Sequence, residues 1–279
     1  MKPSGVILQG LFDLSPHGAD TFVGTGPQYP WGGLFGGHIV AQALRAAALT
    51  VDADLAPHSV RAYFIRRGDA EEPIRYEVDR IRNGRSFVTR RVVARQAIGA
   101  ILNLEASFQR DEPAVDLTTI RPPDGIPRPD DLNDDSWSAS FDRRFIPEAD
   151  SPPSPIGAGR VLCWFRATED LGDDPLLHRC SLAYISDDLP TDSVVRAHPR
   201  LGIDRSGNEI DRFTASLDHA VWFHRPFRSD RWHLHDFSCH TYVGGRGLSV
   251  GHIFDEDGGH IATVAQEVLV REAADRKES

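Results

Sequence analysis

Cysteine is scarce in this chain: the 279 residues contain three, Cys163, Cys180 and Cys239, none of them in a C-x-x-C pair. That count and spacing exclude a disulfide scaffold and a zinc ribbon, and they fit a reducing compartment. Long apolar runs are lacking too. The opening MKPSGVILQGLFDLSPHG is interrupted by Gly and Asp after a few apolar residues, too soon for a signal-peptide core or a membrane span, so a cytoplasmic location is expected. Nor is there an excess of positive charge. The formal charge of −10 argues against a general affinity for nucleic acid or anionic lipid, so any polyanionic ligand must be met locally, by clusters such as Arg66–Arg67 and Arg90–Arg91. What is present, 40% hydrophobic and 26% charged residues, is ordinary for a globular protein with one large core or two moderate ones.

Between Ser59 and Gln109 the segments YFIRRG, PIRYEVDRIRNG, RSFVTRRVVARQAIG and AILNLEASFQ alternate apolar and polar residues between turn formers, which predicts an antiparallel meander. Ahead of it, FGGHIVAQALRAAAL (Phe35 to Leu49) carries helix formers from Ile39 onward that are apolar almost all the way round, the pattern of a buried helix. Residues 112–155 are crowded with Pro, Asp and Ser and show no sustained period, so an inter-domain connection is expected there. The expected organisation is an N-terminal domain at 1–111, a linker at 112–155 and a C-terminal domain at 156–279. After the linker the order of events recurs: a strand (VLCWFRA), a helix from about Pro175 to Asp188, and strands from Ala215 to Arg271. AYFIRRGD (62–69) can be laid on VWFHRPFR (221–228), NGRSFVTRRV (83–92) on GGRGLSVGHI (244–253), and LEASFQR (104–110) near AQEVLVR (265–271). Each copy is a long helix followed by a meander, and curling the sheet about the helix buries both. The expected class is α+β, a double hot-dog with two antiparallel sheets each wrapped around a long central helix.

Several motifs point elsewhere and are set aside on physical grounds. GLSVG (247–251) has the letters of a serine-hydrolase nucleophile elbow, but Ser249 is followed by HIFDEDGG, a continuing strand and a turn where the elbow needs a helix. WGGLFGG precedes a helix yet matches neither a Walker loop nor a G-x-G-x-x-G turn, leaving close packing or ligand approach as its uses. His219, His224, His233, His235 and His240 cluster in sequence without a carboxylate or thiol at ligand spacing, so no metal is expected. The arginines at 66, 67, 85, 90, 91, 225 and 246 are available to the phosphates of an anionic ligand as a group, with none singled out.

FGGHIVAQAL, YFIRRGD, NGRSFVTRRV, SLDHAVWFHRPF and VAQEVLVR, in that order across both halves, resemble the acyl-CoA thioesterase II family of double hot-dog enzymes. The resemblance implies an acyl-CoA substrate, no cofactor or metal, a homo-oligomer (dimer or tetramer of double hot-dogs), and a water held by an Asp, a hydroxyl residue and a Gln of the C-terminal half. Carried over, these fall on Asp187 in LAYISD, Ser216 in TASLDHAVWF and Gln266 in TVAQE; Asp188 is adjacent, so two carboxylates compete for one place. One departure is His38, where the family usually has Gln after the two glycines.

Thioester hydrolysis needs a nucleophile, a group to deprotonate it and donors for the developing oxyanion. On this resemblance Asp187 is expected to supply the base and Ser216 and Gln266 to orient the water, and Gly36, Gly37 and His38 at the start of the first helix are the expected substrate contacts, with N–H groups at the positive end of the helix dipole. In the repeat alignment Gln266 falls on Glu105 and Ser216 near His58, so one chemical site per chain is expected. Two other functions share the fold: a hydratase or dehydratase of enoyl- or 3-hydroxyacyl-CoA, and a non-catalytic acyl-CoA-binding module.

Overall fold

A computed structural model describes residues 8–29, 31–199 and 212–272. The N-terminal half has a short helix α1 (Leu8–Leu11), a ribbon of β1 (Ser15–Pro16) and β2 (Thr21–Gly24), helix α2 (Gly36–Ala48), and the meander β3 (Leu55–Phe64), β4 (Ile74–Asn83), β5 (Phe87–Gln96) and β6 (Gly99–Arg110). The C-terminal half contains β7 (Phe141–Phe145), β8 (Ala158–Ala167), α3 (Pro175–Ile185), α4 (Pro190–Ala197), β9 (Arg212–Ser216), β10 (Asp218–Phe223), β11 (His233–Val243), β12 (Arg246–Asp255) and β13 (His260–Glu272).

The AQALRAAA tail of α2 is built from strong helix formers, and along the helix Ile39, Val40, Ala41, Ala43, Leu44, Ala46 and Ala47 are all buried. A helix apolar on every side has to be enclosed. The enclosure comes from the inward faces of the strands: Val60 and Ala62, Ile74 and Tyr76, Val92 and Ala94, Leu104 and Phe108, each alternating with outward polar residues. The amide of Gln42, buried on α2, is satisfied by donating to Leu11 O and Thr25 O and accepting from Tyr76 Oη. Helix α3 starts where the Asp174 side chain accepts from Leu176 N, with Pro175 in the first helical position.

The two expected sheets are joined into one. Strands β3 and β10 pair antiparallel from Asp218↔Tyr63 to Trp222↔Ser59, giving a 13-stranded sheet in which β4-β5-β6-β3 of the first half meets β10-β13-β12-β11 of the second in mirrored order. The meander and both long helices lie where the hydropathy pattern places them. The 112–155 stretch does more than connect: it supplies β7, paired with β8 from Phe141↔Ala167 to Phe145↔Cys163. Its Ile126, Leu132 and Ile146 also pack over Leu162, Trp164, Leu234 and Phe254 on the outer face of the C-terminal strands. A segment lying flat across a sheet buries residues at irregular spacing, so it carries neither the helical nor the strand period. Among the described residues no helix is long and apolar enough to cross a membrane.

Candidate active site

Asp187 lies just past the end of α3, where the chain turns toward α4 and the N-terminus of α2 comes close. Gly36 and Gly37 make that approach feasible. A β-carbon on Gly37 would stand 1.9 Å from the backbone oxygen of Tyr184, and one on Gly36 would stand 2.5 Å from Asp187 Oδ2. The second glycine pair of WGGLFGG is therefore a contact between two helix ends. Gly33, in the first pair, is pressed against the Arg67 guanidinium.

With the helix ends this close, Gly37 N–H donates to Asp187 Oδ2 at 2.9 Å. The other carboxylate oxygen is met from the sheet. Ser216, at the end of β9, donates from Oγ to Asp187 Oδ1 at 3.0 Å; Gln266, on β13, donates from Nε2 to the same oxygen at 2.7 Å and to Ser216 Oγ at 2.8 Å. All three residues carried over from the family pattern thus form one closed hydrogen-bonded group. Asp187 and Gln266 are buried and Ser216 is half-buried. Burial pushes the Asp187 pKa up to about 6, against the three hydrogen bonds that favour its charged form. A carboxylate in that range exchanges protons near neutrality.

Asp188 turns the other way. Its Oδ1 accepts from Trp137 Nε1 at 2.7 Å and its Oδ2 is ion-paired with Arg143 Nε at 2.9 Å. Adjacent carboxylates therefore separate, one toward the interior of the helix–helix contact and one toward the 112–155 segment.

The helix-start residues named as substrate contacts divide. The Gly37 N–H is occupied by Asp187, so it holds that carboxylate in place. Gly36 is half-buried beside the carboxylate, and its N–H, in the first helical turn, has no acceptor within the helix. His38 is fully enclosed: Gly26 packs against its ring, its Nδ1 lies 3.2 Å from Tyr29 Oη, and burial pushes its pKa down to about 4. Tyr29 Oη in turn lies 3.1 Å from Tyr184 Oη, tying the loop before α2 to α3. Around this tie Tyr29, Trp31, Phe35, Trp137 and Tyr184 form a chain of ring contacts with centroids 5.0–6.4 Å apart. Trp31 is 47% exposed, so this aromatic wall runs from the Asp187 contact to solvent.

One residue of the group was missed by sequence reasoning. His219, on β10, is fully buried; its Nδ1 meets Gln266 Oε1 and its Nε2 lies 2.9 Å from Ser186 Oγ. The available signal was a histidine at an inward position of an otherwise apolar strand, in SLDHAVWF, where a buried polar group needs partners.

Among the described residues the N-terminal half has no equivalent group. Glu105, aligned with Gln266 in sequence, is exposed on the outer face of β6, while Gln266 points inward. His58 Nε2 pairs with Ser107 Oγ at 2.8 Å. Thr50, two residues past α2 as Asp187 is two past α3, is held by Arg90, whose guanidinium donates to Thr50 Oγ1, Thr50 O, Asn83 Oδ1 and Arg82 O. A buried cation and neutral acceptors stand where the other half has an acid. Ser249 sits mid-strand in β12, hydrogen-bonded to Ser193 Oγ at 2.6 Å, without a strand-to-helix turn. His233 and His235 are buried side by side, and among the described residues no group of three or more His, Cys, Asp or Glu can hold a metal ion.

Residues 26–109 match the family description "Acyl-CoA thioesterase N-terminal domain" and residues 118–270 match "Acyl-CoA thioesterase C-terminal domain". The chain belongs to the acyl-CoA thioesterase II family. Within it, the chain is 34% identical over 257 residues to acyl-CoA thioesterase 2 of Haemophilus influenzae, covering 85% of this chain and 87% of that protein. Human acyl-coenzyme A thioesterase 8 is 33% identical over 291 residues, covering 95% of this chain and 89% of the human one. The crystal structure of an acyl-CoA thioesterase II from Mycobacterium marinum superposes with a TM-score of 0.84 at 37% identity, over 96% of this chain and 98% of that one. Full-length agreement in both sequence and shape makes this thioesterase a double hot-dog, with the Asp187 group in its C-terminal half.

Proposed function

We propose that the chain hydrolyses acyl-CoA thioesters to a free carboxylic acid and CoA, with Asp187 as general base and Ser216 and Gln266 orienting the attacking water. The observation that carries this reading is the closed Asp187–Ser216–Gln266 group, in which one buried carboxylate oxygen is met by both a hydroxyl and an amide. Asp187 takes a proton from water as the water oxygen attacks the thioester carbonyl carbon. Gly36 N–H, at the positive end of α2, donates to the oxyanion. When the tetrahedral centre collapses, the carbon–sulfur bond breaks and Asp187 returns its proton to the departing thiolate. Gln266 adds no charge while it donates, so the carboxylate remains the local base.

A hydratase reading is disfavoured by His219, the histidine nearest the group, because both of its ring nitrogens are already engaged by Gln266 and Ser186. A purified preparation given saturated acyl-CoA and a free-thiol reagent separates the readings. Thiol release supports hydrolysis, whereas a hydratase leaves the saturated thioester intact and a binding module retains it without turnover. The same assay carries a pH test. The Asp187 pKa is raised to about 6, so the base form predominates above that pH and is lost below it. We expect kcat/KM to be flat above the limb and to fall about tenfold per pH unit below a midpoint near the Asp187 value; a flat profile down to the ordinary carboxylate range would remove Asp187 from the chemistry.

The aromatic wall of Trp31, Phe35 and Trp137, which adjoins Gly36, is an apolar surface suited to a fatty acyl chain, which favours a role in fatty acid metabolism. Three cysteines, all free and buried, favour the cytoplasm. Assembly as a dimer or tetramer is favoured by the outer face of the N-terminal strands. The 112–155 segment covers its C-terminal counterpart, whereas Tyr63 here is 67% exposed; the molar mass in solution tests this.

A further inference from the structure

We propose that His219, with Ser186 behind it, is the positioning residue that fixes which end of the Gln266 side-chain amide faces Asp187 and Ser216. The inference rests on the water-orienting role of Gln266. The hydrogen bonds form a chain: Gln266 Nε2–H donates to Asp187 Oδ1 and Ser216 Oγ, Gln266 Oε1 faces His219 Nδ1, and His219 Nε2 lies 2.9 Å from Ser186 Oγ, whose hydroxyl also has Ala183 O at 3.2 Å as an acceptor. A carboxamide has nearly the same shape when its oxygen and nitrogen exchange places, so partners alone determine its orientation. A turned amide would set Oε1 against the carboxylate and leave the water without its donor.

In the resting state the Asp187 carboxylate, which only accepts, helps hold Nε2 toward itself. That control is lost in mid-reaction, when Asp187 carries the proton taken from water. The His219 end then has to hold the amide until the proton returns. It suits the task because the imidazole is fully buried and burial holds its pKa down to about 4, leaving it neutral with one donor and one acceptor. Because Gln266 Oε1 can only accept, Nδ1 of the neutral ring is the donor, which leaves Nε2, 2.9 Å from Ser186 Oγ, as the acceptor. The charged groups nearest the ring are Asp218, its chain neighbour, which accepts from Glu267 N, and Asp187 beyond Gln266.

The test compares His219→Ala, His219→Asn and Gln266→Ala in the full chain, with a saturated acyl-CoA as the substrate. We expect His219→Ala to lower kcat by between about tenfold and 10²-fold with KM nearly unchanged, as for a misplaced catalytic group. Its acid limb should move to higher pH, because a freed amide no longer stabilises the Asp187 carboxylate. In His219→Asn the short carboxamide places an N–H where Nδ1 was, so most of kcat and the original limb should return. A role in packing alone would give neither the shifted limb nor the rescue. Wild-type kcat and an unmoved limb in His219→Ala overturn the proposal, as does a normally melting His219→Asn that is no faster than the alanine variant. If His219→Ala does not fold, the asparagine variant decides alone: near wild-type turnover supports the proposal, and a slow, fully folded enzyme contradicts it. Gln266→Ala separates the two levels. Should it retain full turnover, the water-holding role itself fails; should it be slow while His219→Ala is fast, only the present inference fails.

Discussion

Replacing Asp187 with Asn is expected to lower kcat by about 10²- to 10⁴-fold, the range for loss of a positioned base, with KM close to that of the parent. The amide keeps the size of the carboxylate but cannot accept the proton of water. It also meets a conflict of donors. Gly37 N–H points at one oxygen of the group while Ser216 O–H and Gln266 Nε2–H point at the other, so an asparagine must turn its own NH₂ toward one of them. Turnover measured by thiol release, beside a melting curve, separates lost chemistry from lost folding. Asp188→Asn is the matched control. It breaks the pairing of a largely buried carboxylate with Arg143 and Trp137, at a cost on the order of 3 kcal/mol in stability, and leaves the Asp187 group with all its partners. An Asp188→Asn enzyme as slow as Asp187→Asn would reverse the assignment of the two acids.

Gly37→Ala is expected to be the most damaging single-methyl change at the site. The new carbon would stand 1.9 Å from Tyr184 O, a backbone atom at the end of α3, so one helix end has to move away from the other. Overpacking of this kind costs about 1–3 kcal/mol of stability. The cost in activity is larger, because the displacement breaks the Gly37–Asp187 hydrogen bond and shifts Asp187, the proposed base, relative to Ser216 and Gln266; a misplacement near 1 Å is worth about 10²-fold in rate. Gly10→Ala, in α1, is the comparison: a β-carbon there meets nothing within 4 Å, and both melting and turnover should stay as they were. Equal behaviour of the two variants would mean that the close approach of α2 to α3 is unimportant.

Local pattern was enough to place both long helices and the meander, because an all-round apolar helix and period-2 strands leave signatures within ten to fifteen residues. The three members of the Asp187 group were legible only through a likeness to relatives. An acid past a helix end, a serine on a strand and a glutamine on another are 29, 50 and 79 residues apart pairwise, and nothing local says that they meet. The opposed directions of Asp187 and Asp188 were not legible at all, since they depend on Gly37 on one side and on Trp137 and Arg143 on the other. The 112–155 segment was read as a connection because its buried Ile146 and half-buried Ile126 and Leu132 follow the contours of the sheet they cover. Likewise the apparent match of Gln266 to Glu105 held in letters but not in facing, one side chain inward and the other exposed. His219 escaped notice among several histidines, and only its two buried partners set it apart.

Oxygen tracing in a single turnover tests the central chemistry most directly. With enzyme in excess over acyl-CoA in ¹⁸O-labelled water, direct attack by a water held at Asp187 should place one solvent oxygen in each released carboxylic acid and none in the peptide containing Asp187. Unlabelled product, with the solvent oxygen recovered in Asp187 itself, would show that the carboxylate attacks the thioester and would contradict its role as a base.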